Sequence, residues 1–244
     1  MKIVAAVNYF DEPLEHTNRL LQSISGFVHE VVLVDGAYRL FPHTDPRTDP
    51  DRIASIVGTG NMLGLVMNVV APDKAWENQT TKRSYLMNLA ASHGDFVLVI
   101  DADEWIDRER TDIEKIRYKL AMHQPDAVAV CLDTPGDGNQ FNLGTQSPQM
   151  STSVHGKGIE RLYRSMRDFT IGPVHHGSVS AVNEMGLRVG LRSRKQENVG
   201  MEQPVKLDAK EYFRIVNSTW DRGAKRLHQK NKYGQRRAAA KEDA

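Results

Sequence analysis

The chain has 244 residues, 40% of them hydrophobic, with 32 Lys and Arg against 31 Asp and Glu and a formal net charge of +1. That allows one large α/β domain with a full core, and no global field draws the chain to nucleic acid or to a membrane. No apolar run approaches the roughly 18 residues of a membrane span, and a single cysteine, Cys131, excludes both a disulfide framework and a thiolate zinc site.

The opening "MKIVAAVNYF" turns polar too soon for a signal peptide and predicts a first strand, Ile3–Val7. Pro13 to Ile24 places Leu14, Leu20, Leu21 and Ile24 roughly on one face, with Pro13 suited to a first turn, and predicts a helix. Val31–Val34 is a second buried strand, ending in Asp35-Gly36. Residues 57–64, "VGTGNMLG", imitate a Gly-rich phosphate loop. That fingerprint needs a strand before it and a helix after it, whereas the apolar residues that follow predict a strand, Gly64–Val70. The stretch therefore reads as a loop entering that strand. Thr80 to Ser92 is helical, with Leu86, Leu89 and Ala90 in its apolar stripe and His93-Gly94 as its stop. Phe96–Ile100 is a fourth strand, Asp107 to His123 a helix built on Ile113, Ile116, Leu120 and Ala121, and Ala127–Leu132 a fifth strand. Strands alternating with helices predict an α/β fold, a Rossmann-like, mostly parallel sheet flanked by helices on both faces.

After Leu132 the pattern breaks. Residues 133–158 are rich in Gly, Ser, Thr, Pro and Gln, and a connection of that length is a functional lid or a disordered segment. Beyond it, "IERLYRS" and "GSVSAV" predict strands of a smaller, mixed C-terminal part, and Leu207 to Lys230 predicts a closing helix. Arg222 to Lys241 carries eight Lys and Arg and no acid, which reads as a solvated tail or as an arm for a polyanionic partner. The lone Cys131, inside "AVAVCL", fits a reducing, cytoplasmic setting.

The stretch that carries chemistry is "DFVLVIDADEWIDRER", residues 95–110, where a buried strand ends in Asp101, Asp103 and Glu104. Like charges this close repel unless something positive joins them. Ligands of parallel α/β sheets bind outside the carboxyl ends of the strands. Asp35, Asp101 and Asp103 all fall there. The helix from Thr80 begins on the same edge and carries Lys82 and Arg83 in its first turn, where a cation opposes the helix dipole. Arg83 starts the inward stripe, three residues before Leu86, and reads as a ligand contact; Lys82 reads as a solvated lysine. Carboxylates and cations on one rim suggest a phosphorylated ligand with Mn²⁺ or Mg²⁺ bridging the acids to a diphosphate. The structural alternatives are that Asp101 and Asp103 cap a helix beginning near Trp105, that Asp35 is a turn residue before Gly36, and that Trp76 and Trp105 simply pack.

At these residues the chain resembles the GT-A glycosyltransferases, the family 2 type with its Asp-x-Asp motif. "TTKRSYLMNLAAS…GDFVLVIDADEWI" is similar to the Asp-x-Asp region, "KIVAAVNYFDE" to the opening strand and its Asn turn, "VVLVDGAY" to the strand ending in a base-binding Asp, and "IERLYRS…IGPVHHGSV" to a pattern of Arg-aromatic-Arg followed by Gly-x-Val-His-Glu. The resemblance spans about Lys2 to Ser180. It implies a GT-A domain over residues 1–206, with a nucleotide-binding half to about 105 and an acceptor-side half from about 106, followed by a helix and basic tail over 207–244. It implies that Asn8 and Asp35 contact the nucleoside of a UDP- or GDP-type sugar, that Arg83 approaches the diphosphate or base, and that Asp101 lies near the ribose. Asp103 would hold the metal, with His175 as a late ligand. His176 stands where the family pattern often has Glu, which leaves the base open between His176 and Asp133 or Asp137. The implied activity is metal-dependent, inverting transfer of a sugar to a hydroxyl of a glycan, a lipid-linked sugar, a protein or modified nucleic acid. Two other readings stay open: a haloacid-dehalogenase-type phosphotransferase, and a sugar-nucleotide-binding module without catalysis.

Overall fold

A computed structural model describes residues 1–39, 45–133, 158–172, 178–192 and 200–217. Four strands come first in the main sheet: β1 (Ile3–Asn8), β2 (Glu30–Val34), β3 (Val66–Val70) and β4 (Phe96–Asp101). Between them run α1 (Leu14–Ile24), α2 (Pro50–Met62) and α3 (Gln79–Ala91). Then follow β5 (Glu104–Ile106), α4 (Ile113–His123), β6 (Ala127–Asp133), β7 (Gly158–Arg164), β8 (Arg167–Ile171), β9 (Val179–Val182), β10 (Arg188–Arg192), β11 (Lys206–Asp208) and β12 (Arg214–Asn217).

The sheet order is β3-β2-β1-β4-β7-β6-β12-β5, with β11 also paired to β6. The first four strands are mutually parallel, β7 is antiparallel to both neighbours, and β12 continues parallel to β6. A separate antiparallel sheet has the order β10-β9-β8. Residues of β1 alternate between two cores, because successive side chains of a strand point to opposite faces. Ile3, Ala5 and Val7 meet Leu20, Leu21 and Ile24 of α1, Ile56 of α2, and Ile116 and Leu120 of α4. Val4 and Ala6 meet Leu86, Met87 and Ala90 of α3 and the inner face of the small sheet. Among the described residues no helix is long and apolar enough to cross a membrane.

The five predicted strands and the three predicted helices, here α1, α3 and α4, follow the sequence pattern. Four expectations are corrected. Residues 57–62 belong to α2, not to a loop: Asp49 caps that helix by accepting from the Asp51 amide at 2.8 Å, and Pro50 stands in its first turn. Gly60 faces β3, where an added Cβ would lie 2.2 Å from Met67 Sδ, so the glycine serves close packing of a helix on a strand. Residues 207–217 form β11, a turn and β12, not a helix. Ile215 and Val216 insert between β6 and β5, and Phe213 packs edge-on against Phe27 with centroids 5.5 Å apart. The segment "IERLYR" joins the main sheet as β7, between β4 and β6, instead of a smaller part. The helix expected from Asp107 begins at Ile113, because Asp107 caps the preceding turn and Asp112 caps α4.

Candidate active site

The carboxyl ends of β1, β2, β3 and β4 form one edge, and the sequence lines it with polar groups. Asn8 and Asp101 are register partners across β1 and β4. Asn8 Nδ2 donates to the Tyr38 hydroxyl at 3.1 Å. Tyr38 follows the turn at Gly36, whose φ is +109° and where a Cβ would meet Pro46 O and Trp76 Nε1 at 3.2 Å. An L side chain fits neither that conformation nor that space. Burial raises the Tyr38 hydroxyl above its ordinary pKa despite the nearby charge of Arg83, so it stays a protonated donor.

Asp35 is fully buried, and its carboxylate accepts from the Thr48 amide at 2.8 Å and the Thr48 hydroxyl at 2.7 Å. In this geometry it anchors residues 45–49, the approach to α2, and lies a layer below the surface. Beside that anchor a cavity of about 720 Å³ opens between Phe10 and Asp11 after β1, Ala71 after β3, and Thr48, Asp49 and Ile53 at the start of α2.

The acidic turn after β4 finds its positive partners within the chain. Arg83 Nη2 of α3 donates to Asp101 Oδ1 at 2.6 Å, and both side chains are largely buried. Arg161 of β7 reaches Glu104 at 2.5 Å and stands 4.0 Å from Asp101 Oδ2. Glu104 is wholly enclosed: it also accepts from the Asp101 amide at 2.9 Å and from Asn217 Nδ2 of β12 at 3.0 Å. Burial pushes the Glu104 carboxyl above its ordinary pKa against the pull of Arg161. Asp101 and Glu104 thus meet two guanidiniums, which offset much of the repulsion within the turn. Glu104 opens β5, so no helix begins near Trp105 for Asp101 and Asp103 to cap. Asp103 is half-buried and close enough to act on the Arg161 charge. Among the described residues, Nε and Nη1 of both Arg83 and Arg161 are buried without a hydrogen-bond partner, the state in which an ordered water or anion belongs.

Lys82 corrects its sequence reading. It is 1% exposed, and its Nζ donates to Tyr9 O at 2.6 Å and Gly36 O at 2.7 Å. Asp133, at the end of β6, binds Arg214 at 2.8 Å and has Arg110 at 4.0 Å. Because β7 lies between β4 and β6, Asp133 and Asp101 stand on strands about 10 Å apart. His175, His176 and Asp137 lie outside the described residues. Among the described residues no three His, Cys, Asp or Glu side chains group around a metal position.

The structure therefore brings together Asn8, Arg83, Asp101 and Asp103 and sets Asp35 and Asp133 apart. It adds Tyr38, Lys82, Glu104, Arg161 and Asn217. Glu104 stood in the acidic stretch itself, and Arg161 sits between Ile159 and Tyr163 at strand period, a position a buried face claims. Tyr38 and Asn217 left no signal of this kind.

No family model matches the chain, and no curated protein matches it. Among solved structures it is similar to Staphylococcus aureus TarS, at 17% identity and a TM-score of 0.47 over 88% of this chain and 36% of that one. A TarS structure of residues 1–349 in complex with UDP-GlcNAc gives 19% identity and a TM-score of 0.40 over 60% of this chain and 37% of that one. A mycobacterial protein gives 17% identity and a TM-score of 0.38, covering 67% of this chain and 53% of its own. The chain spans about a third to a half of the length of these solved chains.

Proposed function

We propose that the carboxyl edge binds a nucleoside-diphosphate sugar and transfers its sugar to an acceptor hydroxyl. The observation that carries this reading is the meeting of Asn8, Tyr38, Arg83 and Asp101, polar groups from two strand ends, the loop after β2 and α3, with Arg83 desolvated among them. Asn8 and Tyr38 supply hydrogen-bonding groups of the kind a ribose or base takes. Arg83 and Arg161 supply buried donors for phosphate oxygens, and Asp101 holds Arg83 in place.

A divalent ion fits this edge on the chemistry of its donors. Mg²⁺ and Mn²⁺ take oxygen ligands, commonly one or two carboxylates, and complete their shell with phosphates and water. Asp103 is the carboxylate that would hold the ion, with His175 a further ligand implied by the resemblance. Bound there, the ion would neutralise charge growing on the departing nucleoside diphosphate. The chain's own part is to orient the diphosphate by Arg83 and to take the acceptor proton as the hydroxyl attacks the anomeric carbon. His176 and Asp133 are the candidates for that base. Asp133 can serve only if the acceptor reaches it across β7, since Arg214 already holds one of its oxygens.

Thermal shift of the full chain with UDP-, GDP-, CDP- and TDP-sugars, each with and without Mn²⁺, tests the reading. Stabilisation by one nucleotide, strengthened by Mn²⁺, is the expected result. No response to any of the four would overturn it, phosphate-ester hydrolysis with no nucleotide response would replace it with a phosphotransferase, and sugar-nucleotide binding with no transfer to any acceptor would replace it with a non-catalytic binding module.

A further inference from the structure

Lys82 is the largest charged side chain in the fully buried set, and the mechanism above makes no use of it. It sits in the first turn of α3, where a cation opposes the helix dipole, so its placement needs a compensating reason. The reason is geometric. Its Nζ bonds Tyr9 O, just past the end of β1, and Gly36 O, just past the end of β2, at 2.6 and 2.7 Å. Those carbonyls belong to the two turns that carry Asn8 and Tyr38 into the site. We propose that Lys82 is a positioning residue, an internal tie that fixes the spacing of the post-β1 and post-β2 turns and so the width of the cleft between Asn8 and Tyr38. Its neighbour Arg83 ties the end of β4 from the same helical turn, so one turn of α3 registers three strand ends.

The charged and aromatic groups around the amine are Asp35 after β2, Asp101 on β4, Arg83 on α3, and the Tyr38 ring, with its centroid 5.4 Å from Nζ. Burial outweighs the attraction of Asp35 and brings the Lys82 pKa down to about 7. A neutral amine has two N–H groups, which match the two carbonyls, so the tie survives loss of the proton. The unfolded chain keeps its proton to about pH 10.5. Between these values the unfolded state binds more protons than the folded one, so stability rises with pH across that window and levels off below it.

Two substitutions separate the tie from its charge. Hydrogen exchange on full-length K82M should speed about tenfold in the segments around Tyr9 and Gly36, with β4 amides unchanged. In K82R the cation does not titrate near neutrality. The wild-type melting temperature should therefore climb from about pH 7 to pH 9 while that of K82R stays flat. Equal exchange in K82M and wild type would overturn the proposal; if K82M fails to fold, the same exchange comparison with K82Q decides. The link to the cleft rests on the functional reading above, and titration with UDP, GDP, CDP and TDP separates the two. Affinity for whichever of the four the wild type binds should weaken about tenfold in K82M. Unchanged affinity overturns the positioning role, whereas a wild-type chain that ignores all four overturns the functional reading and leaves the tie to be judged by exchange.

Discussion

Asp103 and Glu104 are neighbours in one acidic turn with different surroundings. Glu104 is sealed against Arg161, Asn217 and a backbone amide, while Asp103 stays half-exposed at the mouth of the edge. Removing one partner of a buried ion pair leaves the other charge uncompensated, so Glu104→Ala should lower the unfolding free energy by about 3–5 kcal/mol in urea titrations. Asp103→Ala should fold with a near-normal melting temperature and lose the Mn²⁺-dependent part of the nucleotide stabilisation. An undiminished Mn²⁺ response in that variant would move the metal ligand elsewhere. The acids themselves were legible in the sequence because three carboxylates after an apolar run are conspicuous. Their different roles were not, because the deciding partner, Arg161, lies 57 positions further along the chain than Glu104.

At the scale of elements, α3 sets the geometry of the edge. Asn78 caps it by accepting from the Thr81 amide at 2.8 Å, one turn before Lys82 and Arg83. Asn78→Ala should cost about 1 kcal/mol of stability, and it should also weaken nucleotide binding through the loosened first turn. Calorimetric titration with UDP beside a urea melt separates these two effects. Helix and strand periods identified α1, α3 and β1 to β4 within a residue or two. They failed at α2 and β12 for opposite reasons. In α2 the glycines suggested a loop, but an Asp cap, Pro50 and packing of Gly60 on Met67 made a helix. In "YFRIVN" the apolar run suited either period, and pairing with β5 and β6 made it a strand.

For the molecule as a whole, the two edges of the sheet differ in task. At the amino-end edge Glu30 is buried and accepts from Asn68, from Lys2 at 2.5 Å and from His93 at 2.5 Å. Burial alone would raise its carboxyl, but the Lys2 hydrogen bond and the His93 charge outweigh it and hold its pKa below the ordinary 4.5. The stability this supplies is complete above that value and is lost as pH falls through the depressed folded one. The stability gap between wild type and Glu30→Gln should therefore shrink as urea melts are moved from neutral pH to below about pH 4. A gap that stays constant would show that shape, not charge, holds the corner.

By itself the sequence determined the alternation of strands and helices, the carboxyl edge as the place for polar groups, and the positions of Arg83, Asp101 and Asp103 upon it. Those follow from local periodicity and from where strands end, properties of short stretches. Only the tertiary structure decided that Lys82 turns inward, that Asp35 holds Thr48, and that β7 and β12 bring Arg161 and Asn217 to Glu104. Each of these depends on which strands lie side by side, and pairing between distant segments is set by the packing of the whole sheet and leaves no mark within any one of them.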